Sequence, residues 1–356
     1  MGLSALQDYQ INILSSLYIA FLTFSLAGSF SVLLVSIVKW RHLKDQALLL
    51  VQLTLADLLA ALVLMFTSVK NKAGTSTGLM CHYSLPLSLT FYFISFLLVI
   101  VYAWKSKNVI QGWRESATDD EDRQSQCRKK IIEAPLYAIV WLIPLVLYFG
   151  YLLFFWGETT SLVPLQNTQY LFPLSNITMN IPNQTHFRCI LFLNLWSHFS
   201  SDDILERYHD YFIGCVLLIV LISVIISCSF IYYKVEKWYE KRMDVGLFPV
   251  EGDGLSRRRF KRVLSTTRNM VLVVLFCWIP VLLVILVSIP QISSKVKQQD
   301  LFPLYCFQAV MVSLQGFLNS MVYAWKRPNF TDAVLGENTP LLRYNQIAFF
   351  DESLRS

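Results

Sequence analysis

Leu53-Thr54-Leu55-Ala56-Asp57-Leu58-Leu59 sets one carboxylate in the middle of an apolar run extending from Ala47 to Val69. That run exceeds the ~20 residues an α-helix needs to cross a bilayer. A carboxylate at mid-membrane is costly to desolvate and needs a partner, so Asp57 marks a functional position by default. Working outward, further apolar runs occupy Ile13–Val38, Met80–Trp104, Ile131–Phe155, Tyr211–Tyr233, Arg268–Ile289 and Leu301–Trp325. With 55% apolar residues in 356, too few polar side chains remain to cover a soluble surface. The pattern predicts an all-α membrane protein, a seven-transmembrane helix bundle.

Charge orients it. With the amino terminus outside and the carboxyl terminus cytoplasmic, twenty-three of the 30 Lys and Arg fall in inner loops and tail, and six fall outside. This is the bias of the positive-inside rule, so the net charge of +6 reflects topology and membrane lipids, not nucleic acid. The expected division is a short extracellular amino terminus (1–12), one membrane domain (13–330) and a disordered cytoplasmic tail (331–356). The first apolar run follows no basic segment and no small-residue cleavage pattern, so it is expected to be a retained helix.

The seven cysteines form no CxxC pair, which removes support for a zinc ribbon or redox dithiol. Cys81 and Cys189 alone fall on the outer side, where an oxidising lumen allows them to pair. The long outer loop holds two glycosylation sequons, at Asn176 and Asn183. The third inner loop ends in Arg257-Arg258-Arg259-Phe260-Lys261-Arg262, read either as a positive-inside anchor or as a contact for a cytoplasmic partner or phosphoinositide. The tail segment Glu337-Asn338-Thr339-Pro340-Leu341-Leu342 is similar to an acidic dileucine signal, and Tyr344-Asn345-Gln346-Ile347 to a tyrosine-based one. Both are read by clathrin adaptors, so the expected location is the plasma membrane, endosomal-lysosomal membranes, or both.

Three groups of residues together carry a family resemblance. Asp57 stands in the second run, Cys277-Trp278-Ile279-Pro280 in the sixth, and Asn319-Ser320-Met321-Val322-Tyr323 in the seventh. Ser95 lies fourteen residues beyond Cys81, and Gly28-Ser29-Phe30-Ser31-Val32 stands in the first run. The chain resembles a G-protein-coupled receptor, over about Ile13 to Phe330, with rhodopsin-like and cAMP-receptor-like features. The resemblance implies that Asp57, Ser95, Gln315 and Asn319 share a polar core holding either an internal Na⁺ or a proton on Asp57. It implies a switch at Trp278, Pro280 and Tyr323, and coupling to a heterotrimeric G protein or arrestin.

Departures weigh against ordinary coupling. Lys105-Ser106-Lys107 stands where the family carries an acid-Arg-aromatic triplet, the fifth run lacks its proline, and Ser320 replaces the proline of NPxxY. Around the expected ligand cavity stand Ser88, Tyr92, Val281, Ile285 and Ala309, none of which pairs with an ammonium or a carboxylate. An apolar or lipid-like ligand suits that lining, and so does no ligand. The leading reading is therefore ligand-driven helix rearrangement, signalling to a cytoplasmic partner. The alternative is a non-signalling receptor-fold scaffold or trafficking protein of endosomal or lysosomal membranes. A transporter needs more intramembrane charge or interrupted helices in related halves. Enzyme activity is not expected, because the five histidines lie in loops or at helix ends on both faces.

Overall fold

The computed structural model describes residues 7–38, 40–75, 78–112, 135–153, 190, 214–227, 229–230, 233–234, 237, 253–288 and 298–322. Among the described residues the chain is helical, without strands. The helices are α1 (Asp8–Val38), α2 (Trp40–Lys72), α3 (Gly78–Gly112), α4 (Pro135–Leu153), α5 (Gly214–Ser227), α6 (Asp253–Ser288) and α7 (Phe302–Ser320). A short 3-10 helix, Gln298–Leu301, leads into α7. Four of these, α1 to α4, are long and apolar enough to cross a membrane, whereas α5 and the apolar part of α6 (Val271–Val287) are shorter.

Local chemistry explains several ends. Gln7 N–H donates to Gln10 Oε1 at 3.0 Å, one half of a capping box, so α1 begins at Asp8 and not at Ile13. Helix α2 stops in a Schellman turn. Gly74, at φ 65°, takes the left-handed conformation, Thr75 N–H donates to Lys70 O, and Gly74 N–H donates to Asn71 O. Pro135 opens α4, where the missing N–H costs nothing.

On the basic side three helices outrun their apolar segments. Helix α2 is already helical at Trp40, α3 continues to Gly112, and α6 starts at Asp253, all in stretches expected to be inner loops. The physical reason is that Lys and Arg are good helix formers, so the apolar boundary is not a hydrogen-bonding boundary.

Packing closes a ring. Helix α1 packs on α2 and α7, α2 on α3, α3 on α6, and α6 on α7, with α2 also touching α7 across the middle. Asn71 Nδ2 donates to Ser15 Oγ at 2.7 Å, tying the end of α2 to the start of α1, so these two run antiparallel. Asp57, Trp278, Gln315 and Asn319 lie inside this ring, each at most 1% exposed.

Candidate functional site

The site is built on α7. Gln315 and Asn319 are one helical turn apart and therefore share a face. Asn319 Nδ2 donates to Asp57 Oδ2 at 2.7 Å, and Gln315 Nε2 donates to Asp57 Oδ1 at 3.3 Å. The same Gln315 Nε2 lies 3.4 Å from Ser95 Oγ on α3, and Ser95 hydrogen-bonds the carboxylate as well. Gln315 then turns its other end to α6, where Oε1 accepts from the Trp278 indole N–H. One glutamine thus joins α2, α3 and α6 through α7.

Aromatic contacts hold the indole from the α3 side. Tyr92 and Phe96 meet Trp278 edge-on, with ring centroids 5.3 and 5.0 Å away and interplanar angles of 74° and 83°. Such pairs are worth about 0.5–1.5 kcal/mol each beyond their burial. Tyr92 OH donates to Val312 O on α7 at 3.4 Å. Two residues after Trp278, Pro280 sits inside α6 and removes a backbone donor, giving that helix a defined weak point.

Helix α1 supplies contacts that sequence reasoning missed. Phe317 N–H donates to Ser25 Oγ at 3.1 Å. A Cβ placed on Gly316 would lie 2.5 Å from Ser25 Oγ, 2.9 Å from Ser29 Oγ and 3.4 Å from Asp57 Cβ. A Cβ on Gly28 would meet Phe317 Cα at 3.3 Å and Ser320 Oγ at 3.5 Å. The α1 and α7 backbones come this close because both lack bulk there. The available signal was the small-residue spacing of Ser25, Gly28 and Ser29 opposite Gly316 and Ser320.

A cation would suit part of this donor set. Ser29 Oγ and Asn319 Oδ1 are buried without hydrogen-bond partners among the described residues. Ser29 Oγ faces Gly316, and Asn319 is bonded through its amide to Asp57. With Asp57 and Ser95 they could contribute oxygen ligands to Na⁺. The amide groups of Asn319 and Gln315 already serve the carboxylate as donors, which equally suits a site without a cation. Among the described residues no group of three His, Cys, Asp or Glu comes together for a metal ion.

The remaining sequence-selected residues fall into two sets. Ser88, Tyr92, Val281, Ile285 and Ala309 are all buried, and Ser88 Oγ bonds back to Leu85 O at 2.9 Å. Tyr323, Cys189, Asn176, Asn183, Glu337, Leu341, Leu342, Tyr344 and Ile347 lie outside the described residues, as does the Cys81 side chain. The pairing of Cys81 with Cys189 and the tail signals therefore fall there too. Cys215, Cys277 and Cys306 are free thiols. No protein-family model matches this chain, and no curated protein sequence is similar to it.

Proposed function

We propose that this chain is a divergent G-protein-coupled-receptor-like membrane protein, with seven spans, an outer amino terminus and a cytoplasmic carboxyl terminus. Its activity is a ligand-driven rearrangement of helices, passed to a cytoplasmic partner such as a heterotrimeric G protein or arrestin. The observation that carries this reading is the buried chain Trp278–Gln315–Asp57, with Ser95 and Asn319 attached. A movement of α6 at Pro280 has to break or remake the indole–glutamine bond. The change is thereby felt at Asp57, where a proton or Na⁺ would favour one packing over another. A ligand shifts such an equilibrium only by binding one packing better than the other. The apolar character of Val281, Ile285 and Ala309 supports an apolar or lipid-like one.

The test is a panel of G-protein and arrestin recruitment assays in cells, comparing wild type with Trp278→Ala. Basal or ligand-evoked signal that changes in the variant is the expected result. Silence of both proteins across the panel would replace this reading with the second one, a receptor-fold scaffold or trafficking protein of endosomal or lysosomal membranes. That second reading is favoured by Lys105-Ser106-Lys107, which places neither an acid nor an arginine where the apolar part of α3 ends.

A further inference from the structure

Helix α6 is continuous from Asp253 to Ser288, so Arg257-Arg258-Arg259-Phe260-Lys261-Arg262 is helical and in register with the apolar part of the same helix. Each residue advances about 100° around the axis. Before Pro280, the exposed apolar side chains are Leu272, Phe276 and Ile279, which define one stripe. Val274, Cys277 and Trp278 are buried and define the opposite face. Carried back along the helix, the exposed stripe passes through Arg268, itself exposed, and then through the positions of Lys261, Arg257 and Arg258, with Arg262 at its edge. Arg259 falls in the register of the buried face.

We propose that this stripe binds an anionic phospholipid of the cytoplasmic leaflet whose headgroup carries more than one phosphate. The inference rests on the orientation given under the proposed function. Leu272, Phe276 and Ile279 occupy the line in which acyl chains pack, and the basic positions continue that line toward the headgroups. A protein seated in the mouth of the bundle would meet the other register, in which positions 260 and 263 fall. Arg257 with Lys261, and Arg258 with Arg262, are spaced four residues apart, ~6 Å along the axis. Four cationic positions therefore fall within about one and a half helical turns, as clustered bases beside a membrane span do in lipid recognition. Lys261 lies ~10 Å of helix beyond Arg268. A single phosphodiester cannot serve both levels. A headgroup with ring phosphates standing beyond the diester can.

The experiment uses the full chain in phosphatidylcholine nanodiscs containing a trace of fluorescent phosphatidylinositol bisphosphate, with retention of the fluorescent lipid at the protein as the readout. Arg257→Gln, Arg258→Gln, Lys261→Gln and Arg262→Gln are combined in one variant. A charge-matched control combines Arg41→Gln, Lys44→Gln, Arg128→Gln and Arg259→Gln. Each surface cation near a headgroup contributes on the order of 1 kcal/mol, so the first variant should bind at least about tenfold more weakly. The control should bind as wild type does, and phosphatidylserine at equal total charge should compete poorly. Equal loss in both variants, loss in neither, or full competition by phosphatidylserine overturns the proposal. So does a first variant that keeps its lipid but loses the wild-type G-protein or arrestin signal, because the stripe would then belong to a protein partner. Orientation is read separately, from labelling of Asp253→Cys by an impermeant maleimide. Labelling above wild type in intact cells sinks the orientation, while the nanodisc result, with both leaflets accessible, still reports on the site.

Discussion

Helices α2 and α4 are almost equally hydrophobic and both are long enough to cross a membrane, yet 50% of the apolar window of α2 is buried against 22% for α4. The difference lies in size and polarity. Helix α2 buries Ala56, Ala60 and Ala61 together with Thr54, Asp57, Thr67, Ser68 and Asn71. Helix α4 exposes Ile139, Leu142, Ile143, Val146 and Leu147. Lipid tails are as apolar as leucine, so hydrophobicity gives no reason for one membrane helix to seek another. Small residues allow close approach and polar residues find partners across helices. In this molecule it is small and polar residues, beside the buried Leu49, Leu50, Leu53 and Leu64, that set the inward-facing helix apart, not a greater hydropathy.

The largest expected effect comes from adding bulk where the polar side of the ring is tightest. Gly316→Leu places a side chain against Ser25, Ser29 and Asp57, with no flexible neighbour that can make enough room. Overpacking of this kind costs typically 1–3 kcal/mol and occasionally more, and we expect about 3 kcal/mol or above here, read as a large fall in Tm in detergent. Gly316→Ala should cost about 1 kcal/mol, since the two serine hydroxyls can rotate away. A Gly316→Leu protein as stable as wild type would mean that α1 does not clamp α7, and the comparison would lose its polar side.

Next comes Asp57→Ala, which leaves the buried Asn319 amide without the acceptor it has here and Gln315 with Ser95 Oγ alone. Unpaired buried donors cost about 1–3 kcal/mol. Asp57→Asn keeps one acceptor oxygen and should cost less than Asp57→Ala. If thermal unfolding ranks the two in the opposite order, the carboxylate is not held by these amides.

These polar residues also show what can be read from sequence. A lone carboxylate amid aliphatic neighbours has to be paired, so Asp57 was legible from its own residues. Ser95, Gln315 and Asn319 entered as its partners through the family resemblance, and the structure places them within hydrogen-bonding range of this site. Ser25 was not legible. Serines elsewhere satisfy themselves on their own helix, as Ser31 does with Gly28 O at 2.7 Å and exposed Ser223 with Ile219 O at 2.6 Å. A serine therefore carries no direction until the neighbouring helix is known. The aromatic grip of Tyr92 and Phe96 on Trp278 was hidden for a related reason. Phenylalanine and tyrosine suit core and lipid alike, and Phe30 on α1 is 58% exposed while Phe96 is 1%. Helix ends were hidden because backbone hydrogen bonding continues through basic residues after the apolar run has stopped.

A smaller effect sharpens the link across the ring. In a double-mutant cycle, Trp278→Phe removes the indole donor and Asp57→Asn alters the far end of the glutamine. Because both act on Gln315, the two changes should be non-additive by about 0.5–1.5 kcal/mol in chemical denaturation. Repeating the cycle in a Gln315→Leu background should bring the coupling near zero. Coupling that survives the loss of Gln315 would place the connection between α6 and α2 elsewhere, most directly through the Tyr92 and Phe96 rings.

The smallest effect belongs to α4. Val146→Ala and Leu147→Ala remove side chains that are 64% and 56% exposed, on a helix whose outer face carries no polar group in that stretch. Truncating an exposed side chain away from any special feature changes stability by about 0.5 kcal/mol or less, and the same should hold when lipid or detergent covers it, because the tails refill the space. Thermal unfolding in detergent and in nanodiscs should agree within error for these variants and for wild type. A loss above about 1 kcal/mol in nanodiscs but not in detergent would mean that this face is packed against protein in the bilayer, through a second copy or a partner stripped off by solubilisation. In that case the low burial of α4 would describe an incomplete assembly, and its contrast with α2 would no longer be one of lipid against core.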